Sequence, residues 1–319
     1  MSLINPTIGL FHSAYQLQGE YLARGGKAKT YGGTTLDALH EHADEIDVLV
    51  LSGLWRNDLL PKLPRLRYIQ ASSSGTDQFD KAALKAAGVR LASGQGINER
   101  AVAEHAISLI LSFTRQLHQA RDRQKEHAWR GVIADYDTRE QELGGKTLVI
   151  VGLGRIGLRL AALANAFGMR VIGVKRNPEP QPNIEAIVKP DQLVDVAGEA
   201  DFLALTCPLT PETEGLIGPK VLAALKPSAI LINVARGRVV DEPAMIEALT
   251  KRSFAGAGLD CFYEEPLPPT SPLWDMPHVV ITPHTAGETR VYERNVMAIL
   301  DENLARLARG ETTLLNQIV

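Results

Sequence analysis

Three side chains able to move protons or hold anions stand just past separate apolar runs in the second half of the chain. Arg236 lies in Asn233-Val234-Ala235-Arg236-Gly237, after the run AILINV. Glu265 lies in Gly258-Leu259-Asp260-Cys261-Phe262-Tyr263-Glu264-Glu265-Pro266, after AGAGL, and His284 in Thr282-Pro283-His284-Thr285-Ala286-Gly287, after VVI. A lone histidine is most often structural. A histidine delivered to one sheet edge with a carboxylate and an arginine is a different object. The carboxylate raises the imidazole pKa and fixes the ring, and the arginine can hold a substrate carboxylate and polarise a carbonyl. These are the parts needed to reduce a 2-keto acid, in which charge building on the carbonyl oxygen is quenched by a proton from imidazolium. No G-x-S-x-G elbow supports a nucleophilic role, and no His or Cys pair with ligand spacing supports a metal site.

Reduction needs a hydride carrier, and Gly152-Leu153-Gly154-Arg155-Ile156-Gly157 is G-x-G-x-x-G. The motif alone is weak. Here it follows the apolar run TLVIV and opens the helical pattern Arg155–Phe167, the context that a dinucleotide loop requires. Gly152 would make the tight turn, Gly154 would admit a pyrophosphate, and Gly157 would let helix and strand pack. The bland alternative is a glycine-rich turn without a ligand. An NAD site places an acid roughly 20 residues further on, for the ribose hydroxyls. In this chain the next strand, VIGV, ends in Lys175-Arg176-Asn177, and the first acid beyond is Glu179. Two cations there suit the 2′-phosphate of NADP(H) through charge-assisted hydrogen bonds. The alternative is a solvated basic turn.

The elements that must position these groups read as strand–helix alternation. The first strands recognised are Val48–Leu51, Leu66–Ala71 and Val89–Ala92, with a short helix over Asp80–Ala87. After Gly144-Gly145 come six apolar runs: Thr147–Val151, Val171–Val174, Phe202–Thr206, Ala229–Val234, Ala255–Leu259 and Val279–Ile281. Strands apolar throughout are covered on both faces, so the fold class is α/β with doubly wound parallel sheets. Helical spacing predicts one long helix from Asn98 to about His127, whose strongly polar end, Arg115–Arg130, reads as an exposed arm that either packs on a second subunit or is a solvated helix end. A last amphipathic helix, Glu288–Arg309, returns to the first domain.

At 319 residues the chain is long enough for about two domains. Its 34 basic and 37 acidic side chains nearly balance, which argues against a broad nucleic-acid or membrane-surface footprint. Only Cys207 and Cys261 are present, too few for a disulfide framework. No apolar run of about 18 residues and no basic-then-apolar start are visible. The expectation is a cytoplasmic protein.

The chain also resembles a known family, the D-isomer-specific 2-hydroxyacid dehydrogenases. The matching segments are SSSGTDQFD (72–80), NERAVAEHAISLIL (98–111), GLGRIG (152–157), CPLTPETEGLI (207–217), LINVARGRVVDE (231–242), GLDCFYEEP (258–266) and TPHTAG (282–287). The resemblance implies a Rossmann-type nucleotide domain over 99–287 and a flavodoxin-like, discontinuous substrate domain from 1–98 and 288–319. It implies that Arg236 binds the substrate carboxylate and carbonyl, and that Glu265 pairs with His284 as general acid–base. Backbone N–H groups at Ser74 and Gly75 would hold the carboxylate. Arg155 and Ile156 would touch the pyrophosphate, Cys207 and Pro208 the adenosine half, and Asp260 the nicotinamide carboxamide, with Val234, Ala235, His284 and Gly287 completing the cofactor crevice. It also implies a homodimer built through about residues 98–143.

Three departures from the usual pattern, and one agreement with it, qualify this. Lys175 stands where the family has a ribose-binding Asp and is followed by Arg176, which resembles the NADPH-preferring glyoxylate/hydroxypyruvate reductases. Ser74 replaces an apolar residue and offers a hydroxyl. Cys261 replaces a common Val and is read as a small buried hydrophobe. Glu265, where formate dehydrogenases carry Gln, disfavours that activity. Trp55 is read as a substrate-facing side chain that caps a small pocket or stacks on an aromatic substrate, with a packed anchor as its alternative. The leading expectation is NADPH-dependent reduction of a small 2-keto acid. Rivals are a reductase of bulkier 2-keto acids, a phosphite dehydrogenase, and a nucleotide-sensing, corepressor-like scaffold.

Overall fold

The computed structural model describes residues 5–319. The chain divides into two compact units, one running to Asn98 and resuming at Thr289, the other spanning Glu99–Glu288. Among the described residues no helix is long and apolar enough to cross a membrane.

The first unit is built on a five-stranded, wholly parallel sheet. Its strands are β1 (Ile8–Phe11), β2 (Thr30–Gly33), β3 (Val48–Leu51), β4 (Tyr68–Ala71) and β5 (Arg90–Ala92), in the order β2-β1-β3-β4-β5. Side chains alternate between the faces, so the run VLVL serves two cores at once. Val48 and Val50 pack with Leu17 and Tyr21 of α1 (Leu17–Ala23) and with Val296, Met297 and Leu300 of α10 (Tyr292–Ala308). Leu49 and Leu51 face the other core with Leu39, Trp55, Phe79 and Leu84. A polar knot locks α10 onto the sheet: buried Asn303 donates to Tyr68 Oη at 2.8 Å and accepts from Leu315 N at 2.7 Å. The sequence reading recognised no element before Val48, so β1, β2, α1 and α2 (Leu36–His40) are additions.

Trp55 is corrected here. It is 2% exposed, its ring lies 5.2 Å from that of Phe79, and its indole N–H donates to Asn57 Oδ1 at 2.8 Å. With its polar atom satisfied and its faces packed, it is a core anchor rather than a substrate-facing cap.

The second unit carries a seven-stranded parallel sheet. The strands are β6 (Thr147–Val151), β7 (Arg170–Val174), β8 (Ala186–Val188), β9 (Phe202–Leu205), β10 (Ile230–Asn233), β11 (Gly256–Leu259) and β12 (Val279–Ile281), in the order β12-β11-β10-β9-β6-β7-β8. The six runs read from sequence are joined by β8, only three residues long. Winding goes one way from β6 through β8 and the other way from β9 to β12. The reversal beside β6 opens a crevice at the carboxyl ends of the strands, where open α/β sheets bind ligands.

The predicted long helix is broken. α4 (Glu99–Thr114) buries Val102, Ala103, Ala106, Ile107, Leu109 and Ile110, whereas α5 (Leu117–Lys125) buries nothing. Between them Gln116 takes a left-handed conformation, φ 51°, which ends the first helix without the Gly or Pro that would have announced it.

Candidate active site

The glycine loop follows β6 directly, and its three glycines are set by three different contacts. Gly152 has φ +99°, and a Cβ there would meet the Cys207 backbone at 2.6 Å. Gly154 caps α6 (Arg155–Ala166), and nothing lies within 4 Å of where its Cβ would be. A Cβ on Gly157 would strike the Gly152 carbonyl oxygen at 2.2 Å. The loop is therefore tight at both ends and open in the middle, where the amides of the helix start face outward. Ile156 turns into the core beneath, and Arg155 pairs with Glu99 at 4.0 Å.

Beside the loop is a cavity of about 350 Å³, lined by Gly152, Gly154, Lys175, Arg176, Asn177, Cys207 and Pro208. The sequence reading did not single out Glu212, which also lines it. A hydrogen bond from Thr210 and, to a smaller degree, the Arg176 charge hold the Glu212 carboxyl below its ordinary pKa. A cradle with no Cβ at its centre fits a nicotinamide dinucleotide, and Lys175 and Arg176 set two cations on its wall.

Arg236 is placed by a turn that only glycine permits. Asn233 braces the turn, accepting Ala235 N and donating to Arg236 O, both at 3.0 Å. A Cβ on Gly237 would fall 1.9 Å from the Phe262 carbonyl carbon. That close approach seats the Arg236 turn against the segment carrying Glu265. Val234 and Ala235 are buried in the cores on either side of the sheet, so only their backbone is available to a cofactor.

His284 and Glu265 meet directly: His284 Nδ1 lies 2.7 Å from Glu265 Oε2, while Glu265 Oε1 accepts Phe262 N at 3.0 Å. Contacts with the Cys261 thiol and with Glu265 raise the His284 pKa to about 10, against the opposing pull of partial burial. Partial burial alone would push Glu265 up. The His284 and Phe262 hydrogen bonds and the charges of His284 and Arg236 outweigh it and leave the carboxyl below its usual value. With Nδ1–H committed to a carboxylate, Nε2 is the nitrogen left to exchange a proton.

Asp260 is turned inward. It is 1% exposed; Oδ1 accepts Thr282 Oγ1 at 2.7 Å and Thr285 N at 2.9 Å, and Oδ2 accepts Ala286 N at 3.0 Å. The resemblance implies that Asp260 faces the nicotinamide carboxamide; its two oxygens also hold the loop that carries His284 and leads into Gly287. His105 of α4 extends this network, with Nε2 3.0 Å from Thr282 Oγ1. Its signal in the sequence was a polar residue at an apolar-face position of the helix. Cys261 and Gly237 gave no comparable signal, because both act across loops distant in sequence.

In the first unit, Ser74 and Gly75 follow β4. The Ser74 hydroxyl lies 3.0 Å from Asn98 Oδ1 and 3.4 Å from Gly94 O. It is thus already engaged within its own unit.

This geometry can be set beside known proteins. A family model, D-isomer specific 2-hydroxyacid dehydrogenase, NAD binding domain, matches residues 107–286. The chain is 40% identical over 255 residues to the glyoxylate/hydroxypyruvate reductase B of Pectobacterium carotovorum subsp. carotovorum, a match spanning 80% of this chain and 79% of that one. Among solved structures, a D-isomer specific 2-hydroxyacid dehydrogenase family protein from Aeromonas salmonicida superposes with TM-score 0.87 at 28% identity, over 99% of both chains. The NADPH-dependent glyoxylate/hydroxypyruvate reductase of Sinorhizobium meliloti, solved with NADP and malonate, superposes with TM-score 0.83 at 27% identity, over 99% of this chain and 97% of that one. The chain belongs to the D-isomer specific 2-hydroxyacid dehydrogenase family.

Proposed function

We propose that this protein reduces a small 2-keto acid of the glyoxylate/hydroxypyruvate class to the D-2-hydroxy acid, with NADPH. The observation that carries the reading is the His284–Glu265 pair beside Arg236. A bound nicotinamide supplies the hydride to the carbonyl carbon. His284, protonated well above neutral pH, donates the Nε2 proton to the carbonyl oxygen as charge develops there. Glu265 keeps the ring in register and stabilises its charged form. The Arg236 guanidinium binds the substrate carboxylate and polarises the carbonyl.

Lys175 and Arg176 favour NADPH over NADH. Each charge-assisted bond to a 2′-phosphate is worth roughly 1.5–3 kcal/mol. After desolvation losses the pair gives on the order of 10–1000-fold preference. The names of the Pectobacterium and Sinorhizobium relatives point to the same substrate and, in the second case, the same cofactor. We place the protein in the cytoplasm as a homodimer formed through about residues 98–143.

The test is loss of reduced-nicotinamide absorbance with glyoxylate, hydroxypyruvate, pyruvate and phenylpyruvate, each with NADPH and with NADH. Preference for NADPH that collapses in Lys175→Asp/Arg176→Ala supports the phosphate clamp. Equal use of NADH sinks the clamp and leaves the reductase. A best rate with phenylpyruvate transfers the assignment to bulkier 2-keto acids. No turnover with any of the four overturns it, in favour of phosphite oxidation or a non-catalytic scaffold.

A further inference from the structure

Cys261 is not simply a small hydrophobe. Its Sγ, a ring nitrogen of His284 and a carboxylate oxygen of Glu265 all lie within 4.8 Å of one another. We infer that Cys261, Glu265 and His284 form an inhibitory binding site for a borderline-soft divalent cation of the zinc type.

Four observations carry this. The donors are one sulfur, one nitrogen and one oxygen, a set that suits Zn²⁺ or Co²⁺ and is too soft for Mg²⁺ or Ca²⁺. Metal–ligand bonds of roughly 2.0–2.3 Å in a tetrahedral site put ligand atoms roughly 3.3–3.7 Å apart; the three donors, each within 4.8 Å of the others, reach that spacing by small side-chain shifts, with the 2.7 Å His284–Glu265 hydrogen bond opening to admit the ion. Thiolate and carboxylate together match the charge of a divalent ion, with the imidazole neutral. Access is open, because Cys261 is buried at the back while His284 and Glu265 reach solvent. Three protein ligands leave the fourth position to water.

Binding expels two protons to solvent, one from the thiol and one from the imidazolium. The metal then occupies the groups that the proposed reaction uses as its acid–base pair, so reduction stops while the cation is held. The inhibition rests on the proposed function; the binding does not.

The experiment is a Co²⁺ titration of the metal-free protein, read by the near-ultraviolet thiolate-to-cobalt absorption, with Cys261→Val, Cys261→Ala, Cys207→Ser and His284→Ala alongside. The band is expected in the unmodified protein and in Cys207→Ser, and lost in both Cys261 variants. Zn²⁺ inhibition of the two Cys261 variants, each relative to its own metal-free rate, should weaken more than about tenfold, since even outer-shell partners are worth that much; His284→Ala is read by the cobalt band alone, which should weaken. Chelation should restore the rate. A band that survives in both Cys261 variants, no band in the unmodified protein, or zinc sensitivity unchanged by losing Cys261 overturns the site. The cobalt spectrum needs no turnover, so an inactive protein that shows the band refutes the proposed function and leaves the metal site standing.

Discussion

Asp260 accepts the backbone N–H of Ala286 at 3.0 Å, two residues beyond His284, and so fixes the His284 loop from beneath. With Thr285 N and the Thr282 hydroxyl on the other oxygen, the carboxylate is a three-way clamp in a dry position. Asp260→Ala would strand two backbone donors and a hydroxyl. At roughly 1–3 kcal/mol for each unsatisfied buried group, the expected outcome is a melting temperature lower by several degrees and kcat lower by more than about tenfold. Differential scanning fluorimetry and steady-state kinetics check this. An unchanged kcat at full occupancy would show that the loop holds itself.

On the proposed mechanism His284 sets the pH dependence. Its pKa is raised to about 10, and reduction needs the protonated ring. Reductive kcat/KM should therefore be flat through neutral pH and fall as pH rises through about 10. Oxidation of the hydroxy acid should rise over the same interval. The linkage has the same sign: the pairing stabilises the fold fully below the ordinary imidazole value, and that increment is lost as pH rises through about 10. Glu265→Gln should move the kinetic limb down, part of the way towards 6.5, because the Cys261 contact, the larger cause of the shift, remains. A limb that stays in place assigns the titration to another group.

Gly237 illustrates what could and could not be read from the sequence. The strands that deliver Arg236, Glu265 and His284 were legible because AILINV, AGAGL and VVI are apolar throughout, as strands covered on both faces must be. The first strands, IGLF and TYGG, were not, being short and rich in glycine, and AIV of β8 offers only three residues. The helix break at Gln116 has no local cause in residue type. Contacts between loops were equally invisible: Gly237 looks like any turn glycine until Phe262 is seen against it, and Cys261 looks like a valine substitute until His284 is seen beside it.

The Gly237 contact is testable by one methyl group. Gly237→Ala puts a Cβ 1.9 Å from the Phe262 carbonyl carbon, and backbone cannot yield as a flexible side chain can. Overpacking of this kind costs about 1–3 kcal/mol, and it pushes the Arg236 turn away from the Glu265 segment. Lower thermal stability and lower kcat/KM are expected together. Gly19→Ala is the control: its nearest neighbour would be 3.9 Å away and it sits in α1, so stability should hold or rise by about 0.5–1 kcal/mol. If both variants melt alike, the tight turn is not what orders this site.

The arm after α5 makes the last prediction. Trp129, Val132 and Tyr136 are 98%, 101% and 81% exposed, yet the segment around them is held in shape. Arg139 donates to Ile133 O and Ala134 O at 2.9 Å, Arg130 pairs with Glu140, and Gln141 N returns to Thr114 O at 2.8 Å. A braced loop that points apolar side chains outward fits a docking surface better than a fraying helix end. On the proposed dimer a second copy covers it. Sedimentation equilibrium should then give twice the chain mass, and Trp129→Ser/Val132→Asp should give a monomer that keeps the same melting transition within about 1 kcal/mol, since neither side chain is buried in the isolated chain. Unmodified protein sedimenting at the single-chain mass across the micromolar range would refute the dimer and return the arm to the solvated alternative.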